Sequence, residues 1–551
     1  MAGNGRSANW RAALAVFLKR HTLVMVALGF AAGLPNFLIF DTLSAWLRSA
    51  GLSLETISFF SLATLAYAFK FLWAPWVDQV SIPVLTARLG HRRSWMVVVQ
   101  AAIIAGLGLI AMSNPADNLI AVAGFAVMTG FASATQDIVI DAWRIEVASE
   151  SEQGAMAASY AWGYRIALVV AGALPLILAD GFGWSVSYGI MAALMGIGVV
   201  AALLAPREKS RILPLIAPGS EGSGNGLERL EWVARLGVLI CGAILLGSGL
   251  SGRPELLTAV TGGDGGFMGA LWKSAPFGPV PQLIAVIAGF AVIVAAACPI
   301  PGIQSRPGAY LSQAFGAPLA DFYRRFHGSA TLILALICLY RISDFVLNLM
   351  NPFYIDLGFT LTEIAEVRKI FGVLMSMLGV FLAGVAIARW GLMGPLLAGA
   401  LAGPISNLVF AWLATQGSDV AALTVAIGVD NVSGGFSGTC LIAYMSSLTS
   451  AGFTASQYAL FSSLYALPGK FVAALSGRIV AAAALSAETG GWTAPLTSWF
   501  AHLPPDALAA GAKTMGVGPA ALGAGYVVFF GYSALIGVAA VVLAVIVAVR
   551  R

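Results

Sequence analysis

Apolar runs of roughly 20 residues recur along the whole of this 551-residue chain. Wound as a helix, each run is as long as the hydrocarbon core of a bilayer is thick. Inside lipid every backbone N–H and C=O must be bonded within the protein, and a helix does this segment by segment. The chain is therefore expected to be an all-α polytopic membrane protein. Charged residues make up only 10% of it and mean hydropathy is +0.88, too few polar side chains to coat a water-facing surface. A soluble enzyme, a disordered chain and a nucleic-acid binder are excluded, and the net charge of +5 is assigned to cytoplasm-facing loops. Cys241, Cys298, Cys338 and Cys440 lie in apolar runs and read as packing residues. His21, His91, His327 and His502 are scattered, so neither metal nor cofactor is expected.

The runs fall near 22–47, 56–77, 95–113, 119–140, 158–179, 185–205, 233–252, 280–300, 328–350, 363–388, 392–414, 420–448, 456–483 and 526–549, giving 14 expected spans. Arg6, Arg11, Lys19 and Arg20 precede the first run with no cleavage site after it, which reads as an uncleaved first span. With that end in the cytoplasm, Arg88, Arg92, Arg93, Arg207, Lys209, Arg211, Arg306, Arg324, Arg325, Arg389 and Arg550 all fall inside. Arg48, Arg253, Lys273 and Lys513 fall outside. The bias predicts that both termini are cytoplasmic. The stretch 206–235, with its PGSEGSGNG, reads as a linker. The outer stretch 484–525 receives no role.

Gly51 to Ile57 is echoed by Gly358 to Ile364, and Gln153 to Arg165 by Gln457 to Lys470. The echoes predict two six-helix bundles related by an axis along the membrane normal, with 233–252 and 280–300 inserted between them. The expected units are 1–211, a first bundle; 212–327, a linker with the inserted pair and a cytoplasmic segment; and 328–551, a second bundle.

A charge at mid-bilayer is costly and should face protein or water. Such residues are Asp41, Lys70, Asp137, Asp141, Arg144, Arg165, Arg341, Asp344, Asp430, Lys470 and Arg478, with Glu363, Glu366, Arg368 and Lys369 at the start of core span eight. They fall in core spans one, two, four, five, seven, eight, ten and eleven. Every third core span and the inserted pair read as free of charge, with Arg235 counted as a loop residue. Two bundles around a central aqueous cavity would give that pattern. In QDIVIDAWR, Asp137, Asp141 and Arg144 share one helix face. So do Arg341, Asp344 and Asn348.

GFAAGLP (29–35), FKFLWAPWVD (69–78), LGHRRSW (89–95), SATQDIVIDAWR (133–144), GYRIALVVAG (163–172), LYRISD (339–344) and FTASQYALFSSL (453–464) resemble, in order, the muropeptide permeases of the AmpG type within the major facilitator superfamily. The resemblance implies the major facilitator fold and proton-driven import of anhydromuropeptides across the bacterial inner membrane for cell-wall recycling. The chain departs from it in placing its extra spans mid-chain and in having Asp41 where a small residue is expected. Acetyl-CoA transporters are a more distant branch, which leaves another anionic solute, of acyl-CoA or peptide type, as the alternative. The expected partners are an anionic glycopeptide, protons and the lipid bilayer, without nucleic acid, for a monomer.

Asp78, Gly90, Arg92 and Arg93 resemble the superfamily's loop between spans two and three. They read as an inner gate pairing with Asp141 and Arg144, or as topogenic charge alone. Asp137 reads as a proton site or as one more member of that gate. Lys70, Arg165, Arg341 and Lys470 either hold substrate carboxylates or pair internally, as Arg341 with Asp344. The expected arrangement sets Lys70 and Arg165 across one cavity from Arg341 and Lys470, with Asn348 beside them. Asp41, Asp344 and Asp430 are candidates for the coupling proton. Tyr160, Trp162, Tyr164 and Tyr465 stack on sugars or pack. Gly434, Gly435 and Gly438 bend span ten or admit a close neighbour. Arg478 reads as snorkelling to the interface. An integral-membrane transferase would need a cluster of acids or histidines at one membrane face, which the sequence lacks, and a transporter rather than an enzyme is expected.

Overall fold

The computed structural model describes residues 15–50, 67, 70–115, 117–208, 225–251, 279–297, 305–311, 315–345, 350–504 and 507–550. They are almost entirely helical. Among them nine helices are long and apolar enough to cross a membrane, or ten if Ala317–Arg325 and Ala330–Asp344, bent by 107° to one another, count as one span. The number is lower than the expected 14 for identifiable reasons. Most of the run 56–77 lies outside the described residues. The first span is divided, because the α-helix Arg20–Phe37, with Pro35 inside it, passes into a π-turn, Leu38–Thr42, before α-helix resumes at Leu43–Ser49.

Several helices overrun their hydrophobic runs: Leu119–Val147, Gln153–Phe182, Thr454–Glu488 and Pro519–Arg550. At three of these ends polar residues are buried in protein, Asp141 and Arg144, Gln153, and Thr454, so hydropathy alone stops short of them.

Glycines let helices touch backbone to backbone. A Cβ on Gly163 would overlap the Val26 carbonyl, joining Gln153–Phe182 to Arg20–Phe37. In the second half, side chains on Gly379 and Gly435 would overlap the Val432 and Ser376 carbonyls, joining Gly372–Trp390 to Val420–Ser447.

Apolar packing concentrates at both ends of each half. At the end bearing the described termini, Met25, Val77, Ile138, Trp143 and Ala202 form the first half's cluster, and Phe322, Leu336, Leu448, Phe461 and Val547 the second's. At the distal end the clusters centre on Leu34, Leu107, Tyr188 and Met191, and on Phe353, Phe410, Phe500 and Phe530. The unassigned stretch 484–525 contributes to the last of these. Its short helices Ala494–Phe500 and Ala509–Met515 cap the distal end of the second half through Phe500, Leu508 and Ala512. The Tyr526 hydroxyl donates to Asp356 at 2.6 Å beneath the cap.

The inserted helices Asn225–Ser251 and Pro279–Ala297 pack on each other at Gly242 and Gly289. They lean on Phe71, Leu72 and Trp73 of the first half and also touch Thr454–Glu488. One reading needs correction here. Arg235 is a buried helix residue, not a loop cation: its Nε bonds Glu231 at 2.8 Å and its Nη1 bonds the Ala296 carbonyl.

Candidate functional site

At the end bearing the termini the halves meet along two seams. On one, the short helix Ala74–Gln79 faces the start of Thr454–Glu488. Asp78, 1% exposed, accepts from the Ser456 N–H at 2.8 Å, the Ser456 hydroxyl at 2.7 Å and the Ala455 N–H at 3.3 Å. The first N–H groups of a helix have no partner within it and carry its positive dipole end, so a carboxylate satisfies both. Arg92 backs this acid, its Nη2 lying 2.7 Å from Asp78 and 2.7 Å from Glu146. The Arg92 backbone N–H donates to Glu208 at 3.0 Å. Gly90 precedes it at φ +97°, and a side chain there would meet that Glu208 carboxylate. Deeper in the same seam Arg144 bonds Asp141 at 3.2 Å and lies 5.3 Å from the centre of the Tyr458 ring, a cross-half cation–π contact.

The other seam joins Gln153–Phe182 to Gly372–Trp390 and is mostly apolar. Gly154 lies against Ile387, Phe17 stands 5.3 Å from Phe381, and the Trp162 indole donates to the Met377 carbonyl at 2.9 Å. Lys19 and Glu152 form an ion pair beside it.

Toward the distal end the halves part around a cavity of about 900 Å³. The wall from Gln153–Phe182 is Arg165 followed by Leu168, Val169, Gly172 and Leu176, one face of a helix. The facing wall is polar, with Arg341, Asp344, Tyr354, Arg368, Asp430 and Asn431. Arg341 Nε bonds Asp344 at 2.7 Å, so that pair is internally neutral. Arg165 has no carboxylate within ion-pair distance among the described residues. With three arginines against two aspartates among the described residues of the wall, the formal charges there leave a cation over for an anionic ligand.

The expected constellation is met in part. Arg165 and Arg341 share the cavity. Lys70 is buried but does not line it; it lies where the 70–72 turn touches Leu119–Val147 and Thr454–Glu488, close enough to act electrostatically on Asp137. Lys70 opens a short 3-10 turn, Lys70–Leu72. Asn348 and the side chains of Asp41, Lys369, Lys470 and Arg478 lie outside the described residues. Asp137, 9% exposed, accepts a long 3.4 Å bond from the Tyr160 hydroxyl. The Tyr164 hydroxyl accepts from Asn36 at 2.6 Å. Both tyrosines are thus engaged within the first half, and Trp162 is engaged across the seam. Arg93 turns away from Asp78 and bonds the Ala202 and Leu203 carbonyls at the end of Gly196–Leu204. Gly434 and Gly438 leave room for the Arg341 guanidinium, and Gly435 admits the Ser376 backbone, within an unbroken helix.

Sequence reading missed Glu146, Ser456, Glu208, Tyr354 and Asn431, and Arg368 was seen only as part of a charge cluster. Glu146 stands on the opposite face of its helix from Asp137, Asp141 and Arg144, and its pairing with Arg92 left no mark in the spacing. The Asp78 partners include backbone N–H groups, which leave no trace in residue type.

Over 483 residues, 87% of this chain and 77% of the relative, the sequence is 29% identical to the anhydromuropeptide permease of Escherichia coli (strain K12). The chain is a relative of the AmpG-type permeases. It is also 27% identical over 458 residues to the putative transporter AmpG 4 of Rickettsia felis, covering 82% of this chain and 88% of that one. A family model described as acetyl-coenzyme A transporter 1 matches residues 21–180. The structure of the proton:xylose symporter XylE, a major facilitator superfamily protein, superposes with a TM-score of 0.50 at 11% identity, covering 97% of this chain and 95% of that one. The fold is therefore that of the superfamily, and the protein is a multi-pass membrane transporter.

Proposed function

We propose that this permease imports anhydromuropeptides, GlcNAc-anhydroMurNAc and its peptides, across the bacterial inner membrane by proton-driven alternating access. The observation that carries the reading is the cavity between the halves, where Arg165 offers a cation that no described acid neutralises. An anhydromuropeptide brings carboxylates to such a site, and a charge-assisted bond in a partly dry cavity is strong. The relation to the anhydromuropeptide permease supports this substrate over other anions. The chain would act as a monomer with 14 spans, divided at 1–211, 212–327 and 328–551, and with both termini cytoplasmic. In that orientation the two seams form an inner gate of Asp78, Arg92, Asp141 and Arg144, and the cavity faces the periplasm. The coupling proton would be carried by Asp137, Asp344 or Asp430, each beside a cation or a polar partner.

The test is uptake of labelled GlcNAc-anhydroMurNAc-peptide into proteoliposomes with an imposed pH gradient. Uptake above equilibrium, abolished by a protonophore, is expected. Absence of uptake by folded protein overturns the reading. The family-model match favours one second reading, an acyl-CoA-type solute. Competition by acetyl-CoA but not by the muropeptide would establish it.

A further inference from the structure

A second, smaller cavity of about 220 Å³ lies outside both bundles, between the inserted helix Asn225–Ser251 and the short helix Ala74–Gln79. Leu72, Pro75 and Trp76 wall one side, Trp232, Leu236 and Leu239 the second, and Tyr310 with Phe315 the third. Its rings brace one another. The Trp76 side chain stands beside Tyr310 in the lining, and the Trp232 and Tyr310 rings meet edge to face with centroids 6.0 Å apart. Rings fixed in this way hold the space open instead of collapsing into it. The charged group in the wall, Arg235, is held by Glu231 and the Ala296 carbonyl. That leaves a neutral, apolar lining, and an apolar cavity of around 150 Å³ already stays dry and accepts hydrocarbon. Trp76, Val233 and Leu236 are about half exposed on the cavity's outer side, the side that faces lipid in a chain crossing the membrane. Tryptophan and tyrosine gathered at one level of such a chain are also the composition of the membrane interface.

We propose that this cavity is a binding site for one acyl chain of a bilayer phospholipid, taken without regard to headgroup charge. Charge complementarity argues for that occupant: among the described residues the lining offers no uncompensated charge to a phosphate or a carboxylate and an apolar surface to a hydrocarbon. The site has a position of consequence. Trp76 and Pro75 share their helix with Asp78, and the inserted pair also touches Thr454–Glu488. The chain would therefore wedge the inserted pair against the seam that Asp78 closes.

Native mass spectrometry of the full protein, released from bilayers of either pure phosphatidylglycerol or pure phosphatidylcholine, tests this. One retained phospholipid is expected from both bilayers at similar occupancy. Leu236→Trp and the milder Leu239→Phe fill the space and should reduce retention at least tenfold, with unchanged elution on size exclusion as the check on folding. No retained lipid on the wild type, equal retention on both folded variants, or retention from phosphatidylglycerol alone would each overturn the proposal. The readout requires no transported solute, so its failure is distinct from failure of the import reading.

Discussion

The two seams at the terminal-bearing end close the same gap with opposite chemistry. Between Ala74–Gln79 and Thr454–Glu488 the contact is a buried acid on a helix start, backed by Arg92 and Glu146. Between Gln153–Phe182 and Gly372–Trp390 it is Gly154 on Ile387 and Trp162 on Phe381, with Phe17 packed on Phe381 beside them. The sequence echo of Gln153 to Arg165 in Gln457 to Lys470 would suggest equal seams, and the two glutamines do act alike. Gln153 bonds the Ile145 and Ala148 carbonyls, and Gln457 bonds the Pro318 carbonyl and Asp321, each tying down its own half. What differs is the surface opposite. A desolvated ion pair comes apart over a short distance and at high cost, whereas an apolar contact gives way gradually as area is exposed. The charged seam is thus suited to set whether the end is closed, and the apolar seam to guide the halves past each other.

The largest effect is expected from Asp78→Asn. It strips the helix start of its anion and leaves Arg92 with Glu146 alone. Removing one member of a buried pair costs about 3–5 kcal/mol. Proteoliposome uptake should fall at least tenfold, and a cysteine placed at Ser159 should become reactive from the terminal-bearing side. Unchanged uptake and labelling would mean that the apolar seam holds this end by itself.

Next comes Arg165, which the apolar-seam helix carries beyond its contact with the second half. Arg165→Gln should weaken muropeptide binding by about 2–5 kcal/mol if the lost pair is desolvated, measured by calorimetry on purified protein. Lys70→Gln should leave that binding intact, since Lys70 lies in the charged seam and not in the cavity wall. Equal losses in both variants would show that the seam and the cavity are one site.

Gly154→Ala addresses the apolar seam directly. The added Cβ would stand 2.7 Å from the Ile387 Cβ, and overpacking of this kind costs about 1–3 kcal/mol. Slower transport is expected, restored in the Gly154→Ala/Ile387→Gly double variant. No recovery in the double variant would mean that the glycine serves its own helix rather than the seam.

Such contrasts were only partly legible in the residues. Helix existence followed from hydropathy, because burying apolar surface in lipid leaves a strong periodic trace. Helix ends did not, because residues such as Glu146 and Gln153 lie beyond the apolar runs and are held by protein contacts that hydropathy does not register. Spacing placed Asp137, Asp141 and Arg144 on one face, a consequence of local helix geometry. It could not find Ser456 for Asp78, or set Lys70 apart from Arg165. Those relations depend on how two distant segments dock and on backbone N–H groups that every residue except proline carries.

The smallest effect is expected at Lys19 and Glu152, an ion pair beside the apolar seam. Partial burial raises the Glu152 carboxyl, but the hydrogen bond from Lys19 and those from Ser149 outweigh it and bring its pKa to about 2 from an ordinary 4.5. A depressed acid stabilises the folded state above its unfolded value and loses that contribution as pH falls through the folded one. The window for this pair therefore runs from about 4.5 down to about 2, below any pH at which the transporter would work. Lys19 is half exposed, so solvent screening leaves the pair worth about 0.2–1 kcal/mol. Lys19→Gln should thus shift the thermal midpoint only slightly, and by the same amount at every pH from about 7.5 to 8.5, above the range in which the His21 imidazole, 3.8 Å from Glu152, takes up a proton. A shift that grew across that range would show Glu152 titrating there, and would give the apolar seam a pH response that its packing does not account for.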